Sequence, residues 1–287
     1  MSSEMSSAMS SAMSSAMSSA MSSAMRTVGS FEVHPLVDVS GALDTTNREA
    51  FPGATEEQWA AARALDPTAF GPDDAWVLPF RAFVVVAPDD TITVVDLGVG
   101  TTSSPAAAWA PGVGQLPEGL AALGIAPSDV GTVVLTHLHE DHVGWVLGRA
   151  GLPLFPNAQH VVQATEVRAV ADDRLIVEAT IDPLRAADLL REVGGVTRLR
   201  DGIDLEPTPG HTPGHQSVWV SSGADALLLT GDVLVHAVQL VAPEVAYAAE
   251  DDPAVAAATR ERVFAEARRR GAPLATAHLT EAFVPLP

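Results

Sequence analysis

Beyond residue 25 the apolar positions fall into two batches of short β-type runs, each followed by helical spacing. Val28 to Val39 reads as extended. Arg81 to Ala87 and Thr91 to Asp96 flank Pro88-Asp89-Asp90, a hairpin signal. Asp96-Leu97-Gly98 ends the second run in a turn. Leu116 to Leu123 has helical spacing and stops at Gly124. Thr132 to Thr136 reads as a buried strand that leads straight into a histidine-rich loop, and Gln159 to Gln163 as another strand. Residues 165–192 predict mostly helix, interrupted near Asp182-Pro183. A second hairpin is expected across Thr197 to Glu206 about Asp201-Gly202, then strands at Ser217 to Val220 and Ala226 to Thr230. Pro253 to Arg270 is the longest predicted helix, and Pro273 to Thr276 a last strand. Residues 40–75, with Pro52, Pro67 and Pro72, read as an irregular lid or rim. This order predicts an α/β fold: two packed β-sheets with helices outside, in four layers.

The first 24 residues are six copies of a four-residue unit, Met-Ser-Ser-Glu once and Met-Ser-Ser-Ala five times. Serine competes with its own backbone for hydrogen bonds and the unit has little to bury, so the segment is expected to be disordered. It lacks the basic start and Leu/Val-rich stretch of a secretion signal. Residues 25–287 are expected to form a single domain. No apolar run reaches the ~18 residues of a membrane span, so no membrane partner is expected and the cytoplasm is the default location.

Charge and composition narrow the chemistry. The net charge is −20, and all 16 basic residues are Arg. So acidic a surface repels phosphate backbones, so no nucleic-acid partner is expected and the substrate is read as a small molecule. Without Lys there is no Schiff-base lysine and no P-loop lysine. Without Cys there is no disulfide, thiolate nucleophile or Cys-based metal site. Any metal must be held by His and carboxylate. The oligomeric state is not written in the sequence.

Four elements offer such ligands. Thr136-His137-Leu138-His139-Glu140-Asp141-His142 follows a buried strand. Residues two apart on an extended chain point the same way, so His137 and His139 can share one metal. Asp141 and His142, at the turn into the next element, can reach a second metal about 3.5–4 Å away. Thr208-Pro209-Gly210-His211-Thr212-Pro213-Gly214-His215 is a rigid loop, with His211 the better ligand and His215 a supporting or substrate-contacting residue. Asp232 ends a buried strand, where a carboxylate is costly unless paired or metal-bound. His278 follows a short strand near the C-terminus. His236 is a candidate to line the pocket, as is the lone Tyr247, whereas His34, His160 and Trp145 read as packing or surface residues.

Together these pieces resemble the metallo-β-lactamase-fold hydrolase superfamily. The resemblance rests on His-x-His-x-Asp-His at 137–142, Pro-Gly-His at 211, Asp232, His278 and the Asp96-Leu97-Gly98 turn, and spans roughly residues 28–287. It implies an αββα sandwich of two mixed sheets with a two-metal site at one edge. Position by position, His137, His139 and His211 would hold the first metal. Asp141, His142 and His278 would hold the second, and Asp232 would bridge them. Asp96 would support the site. The His-and-oxygen donors suit Zn2+, with Mn2+ and Fe2+ also accommodated. The implied activity is attack by a bridging hydroxide on an ester, lactone or thioester, with Asp141 orienting it or moving a proton and Asp232 bridging the metals. The repeated Pro-Gly-His unit and the compact length place the chain nearest the lactonase and esterase-like branch. That branch carries a Tyr shortly after the bridging Asp, where this chain has Val233 to His236. A mononuclear-iron oxidoreductase of the persulfide dioxygenase kind is the second reading.

Overall fold

A computed structural model describes residues 25–286; residues 1–24, for which disorder is expected, lie outside the described residues. The first sheet contains β1 (Arg26–Val28), β2 (Phe31–Thr46), β3 (Ala75–Val86), β4 (Ile92–Val95), β5 (Val130–Val134), β6 (Gln159–Gln163) and β7 (Leu190–Val193), side by side in chain order. Its pairs are antiparallel from β1 to β4 and parallel from β4 to β7. The second sheet contains β8 (Thr197–Arg200), β9 (Ile203–Pro207), β10 (Gln216–Ser222), β11 (Asp225–Leu229), β12 (Leu274–Ala275) and β13 (Phe283–Val284), in the order β13-β12-β11-β10-β9-β8. Only β11 and β12 pair in parallel there. The expected two mixed sheets are therefore present.

Period-two alternation assigns each side chain to a layer. On β3, Phe83 and Val85 point between the sheets and meet Ile203, Leu205, Val218, Val220, Leu227 and Leu229. Ala82 and Val84 point the other way, into a cluster with Leu116, Leu120, Val167, Ile181 and Leu184 from the outer helices. On the far side of the second sheet, Trp219, Leu228 and Leu274 pack against Val263, Phe264 and Ala267 of the helix Pro253–Arg270. That helix starts at Asp252, whose side chain accepts from Val255 N, and ends at Gly271 with φ 62°, three arginines lying in its last turn. Helices thus cover both outer faces.

The rim differs from its expected form. β2 runs on to Thr46 and β3 begins at Ala75, with the helices Asn47–Ala50 and Glu56–Leu65 between them. Register shifts at Val37/Val39 and Ala42/Thr46 interrupt the alternation that would have marked the extension. Residues 165–192 also differ. They end in β7 rather than in helix, and the helical break falls at 170–173. A π turn at Val177–Ile181 precedes Asp182–Ala186 and absorbs Pro183, whose missing N–H would interrupt a regular α-helix. No described helix is long and apolar enough to cross a membrane.

Candidate metal centre

The site lies at one edge of the sheets, where β5, β11 and β12 release their chains into loops. Past β5, His137 and His139 come together with ring centroids 4.6 Å apart. His211 from the Pro-Gly-His loop reaches both: its Nε2 is 2.9 Å from His139 Nδ1, and its ring is 4.8 Å from that of His137. Asp232 enters from the turn after β11, with Oδ2 3.3 Å from His211 Nε2 and Oδ1 3.3 Å from both His142 Nε2 and His278 Nε2. Asp141 Oδ2 lies 3.4 Å from His142 Nε2 and 3.5 Å from His278 Nε2. Three sets have ligand atoms mutually within 4.8 Å: His137/His139/His211, His137/His142/Asp232 and Asp141/His142/His278. All seven expected ligands therefore converge.

The surrounding hydrogen bonds aim these atoms. His137 Nδ1 donates to Thr136 Oγ1 (3.0 Å), His142 Nδ1 to Asp96 Oδ2 (3.0 Å) and His278 Nδ1 to Pro79 O (3.0 Å), so each Nε2 is left for the centre. Asp96 also accepts from Thr136 N and Oγ1, both at 2.8 Å, and so braces the start of the histidine loop. His215 is buried beneath Asp232: its Nε2 accepts from Asp232 N (2.9 Å), and its Nδ1 donates to Thr208 Oγ1 (2.8 Å). It supports Asp232 rather than lining the cavity. Gly231 makes room for this turn at φ 52°, since a Cβ there would stand 2.7 Å from His215 Nε2.

The donor set fits divalent cations. His137 Nε2 and Asp232 Oδ1 are buried with no hydrogen-bond partner among the described residues, which is costly without a ligand. Burial holds His137 and His211 well below the usual histidine pKa, keeping their lone pairs free. Burial also opposes charge on His142, but Asp232, Asp141 and Asp96 outweigh it and raise its pKa. Burial likewise opposes ionisation of Asp232, yet His142 and His278 hold it well below the carboxylate range.

A cavity of about 410 Å³ opens over the centre. His139, Asp141, His211, Asp232 and His278 form its floor, while Trp76, Leu78, Phe80, Trp109 and Ile176 give it apolar walls. Glu140, Asp173 and Asp251 also line it, and no Arg does among the described residues. Trp109 Nε1 donates to Glu140, and its ring lies 5.8 Å from Phe80. Tyr247 stacks parallel to His211 at 6.0 Å. Its hydroxyl has no hydrogen-bond partner among the described residues. Burial, reinforced by Asp141 and Asp232, raises its pKa, so the phenol stays protonated. The loop that carries it is pinned by Arg260, which donates to Val233 O (2.8 Å), Pro243 O (2.6 Å) and Glu250.

His236 is placed elsewhere. It is not among the residues lining the cavity but sits inside a cage of Phe51, Phe70, Trp59 and Trp76, with centroids 5.0 to 6.0 Å away. The aromatic-rich rim folds over the loop after Asp232 and encloses it, and burial pushes its pKa down to about 3. Three charged residues that shape the site escaped the sequence reading: Asp38, Arg81 and Glu166. Each lies outside the ligand motifs, and no local pattern marks any of them.

Residues 79–278 match the Metallo-beta-lactamase superfamily, and the chain belongs to it. N-acyl homoserine lactonase AiiA of Bacillus thuringiensis subsp. kurstaki is 32% identical over 111 residues, which is 38% of this chain and 41% of that protein. The chain thus aligns with less than half the length of this curated relative. The crystal structure of hydrolase AbOPH of the beta lactamase superfamily superposes with a TM-score of 0.76 at 23% identity, covering 92% of this chain and 96% of that one. AidC, a dizinc quorum-quenching lactonase in complex with a product, superposes at 0.75 with 20% identity over 91% and 92%. Identities at this level show a shared fold.

Proposed function

We propose that this chain is a hydrolase dependent on two divalent metal ions, Zn2+ foremost, that opens an ester, lactone or thioester bond of a small molecule. The observation that carries the reading is the convergence of seven candidate ligands, five buried and two half-buried, with orphaned polar atoms on His137 and Asp232, beneath an apolar-walled cavity whose floor five of them form. His137, His139 and His211 would hold one ion, Asp141, His142 and His278 the other, and Asp232 both. Two divalent ions held there would supply hydroxide at neutral pH and polarise a carbonyl oxygen.

The chain's own residues do the rest. Trp76, Phe80 and Trp109 take the apolar arm of the substrate and exclude water from it. Burial opposes charge on Asp141, but His142 and His278 keep its carboxylate ionised, so the oxygen turned away from those rings can orient the attacking group or pass a proton to the leaving oxygen. Tyr247 offers the one uncommitted hydroxyl on the wall; the Thr212 hydroxyl is spent on Glu166 and the Trp109 indole on Glu140. The relatives named N-acyl homoserine lactonase make lactones the first class to assay.

Elemental analysis of the purified chain, paired with lactone, carboxylester and thioester hydrolysis, tests the reading. About two zinc ions per chain and turnover lost on chelation are expected. One iron per chain with oxygen uptake would overturn it in favour of an oxidoreductase.

A further inference from the structure

The two halves of the candidate metal centre are braced by two buried residues of opposite charge: Glu166, which also lines the cavity, and Arg81, which does not. Glu166 lies on the helix Ala164–Ala169 and is 1% exposed. Its Oε1 accepts from Leu138 N (3.0 Å), the peptide between His137 and His139. Its Oε2 accepts from Thr212 Oγ1 and Gly214 N, both at 2.8 Å, on the loop that carries His211. One carboxylate therefore ties together the two loops that supply the His137/His139/His211 set. The fit is close: a Cβ on Gly214 would stand 2.1 Å from Glu166 N.

Arg81 on β3 does the corresponding work for His278. It is 5% exposed, and no carboxylate lies within ion-pair distance of it among the described residues. Its Nη1 donates to Thr276 O (2.7 Å), Leu279 O (3.0 Å) and Ala277 O (3.4 Å), and its Nη2 to Thr280 O (3.1 Å). Those four carbonyls frame His278 on both sides, and Pro79 O on the same strand receives the His278 Nδ1 proton. A buried cation whose hydrogen bonds go only to carbonyls, with its Nε unpartnered among the described residues, is expensive to keep. The rigid fork of a guanidinium is what lets one side chain gather a loop in this way.

We infer that Glu166 and Arg81 are separate positioning residues, Glu166 for the His137/His139/His211 metal and Arg81 for the Asp141/His142/His278 metal. The two metal affinities can therefore be weakened one at a time. The inference rests on the two-metal reading above, and the wild-type metal count tests that reading by itself.

The test uses charge-keeping substitutions, Glu166→Asp and Arg81→Lys. Asp is one methylene too short to span both loops, and a single ammonium cannot reach four carbonyls. The full chain is loaded with Zn2+, freed of excess by gel filtration and analysed for metal per chain. Each variant is expected to retain about one ion, with affinity at the other position down about 10–100-fold. Crosses identify which ion is lost. Glu166→Asp with His139→Ala should still hold one ion, and with His278→Ala none. Arg81→Lys should give the reverse pattern. Full occupancy and unchanged affinity in both variants would overturn the inference, even with a lowered melting temperature, because bracing of the fold alone would then explain the contacts. Loss of both ions together in either folded variant would also overturn it. Should Arg81→Lys not fold, Glu166→Asp and the volume-matched Glu166→Gln still decide whether one position fails alone.

Discussion

Asp38 on β2 is the most heavily used carboxylate beneath the site, and its replacement by Asn has a calculable cost. It is 1% exposed. Its Oδ1 accepts from Leu116 N (2.7 Å) and Trp145 Nε1 (2.8 Å), and its Oδ2 from Val99 N (2.8 Å) and Gly100 N (3.3 Å). The four donors come from the loop after Asp96, the helix Leu116–Ala122 and the segment after His142. In Asp38→Asn one acceptor oxygen becomes an NH2 group that faces two N–H donors. Two buried donors left unpaired cost roughly 1–3 kcal/mol each, and the neutral oxygen weakens the other two bonds. The amide recovers part of this by avoiding the desolvation of a carboxylate. The net loss is expected to be about 3 kcal/mol, or roughly 6–12 °C in melting temperature for a chain of this size. Urea unfolding followed by tryptophan fluorescence, at one fixed zinc concentration, reads it directly. The exposed Asp44 on the same strand provides the control, and Asp44→Asn should stay within about 0.5 kcal/mol of wild type. An Asp38→Asn chain as stable as the Asp44→Asn control would refute the reasoning, because the four contacts would then contribute nothing net.

Other substitutions separate chemistry from binding and stability. Tyr247→Phe should lower kcat about tenfold or more with two metal ions retained, since it removes the free donor on the cavity wall; a change confined to KM would place the phenol in binding alone. Trp109→Ala should raise KM for substrates with long apolar arms and leave short ones little affected, and an equal loss for both would deny it a role in holding the arm. Burial lowers the His160 pKa to about 4, against about 6.5 in the unfolded chain. The neutral ring is the native form, so its contribution to stability is complete above pH 6.5 and falls away between pH 6.5 and pH 4, by about 3 kcal/mol in all. His160→Leu should therefore flatten the acid side of the stability curve, and parallel curves for the two proteins between pH 8 and pH 4.5 would contradict the assignment.

The sequence discloses the candidate ligands and conceals what holds them, for a physical reason. His137, His139, Asp141 and His142 lie within six positions after a buried strand, and His211, Asp232 and His278 each mark the end of a strand or a rigid loop. A metal needs donors released together from strand ends, and that requirement leaves a local signature. Asp38, Arg81 and Glu166 have no such signature, because their partners, mostly backbone groups, lie 28 to 199 positions away and are supplied by strand pairing and loop packing. The same holds for the rim: β2 and β3 extend past the expected ends because they pair with each other through shifted register, not because either run alternates. His236 was open to misreading from the opposite direction. Its proximity in sequence to Asp232 suggested the pocket, whereas Phe51, Trp59, Phe70 and Trp76, all far away in the chain, set its environment. Chemistry carried by neighbouring residues is thus legible one loop at a time, while positioning is a property of the closed sandwich. It follows that a substitution in the bracing residues should alter metal affinity without altering the identity of the ligands, and that such residues are found by following buried charges to the backbone groups they satisfy.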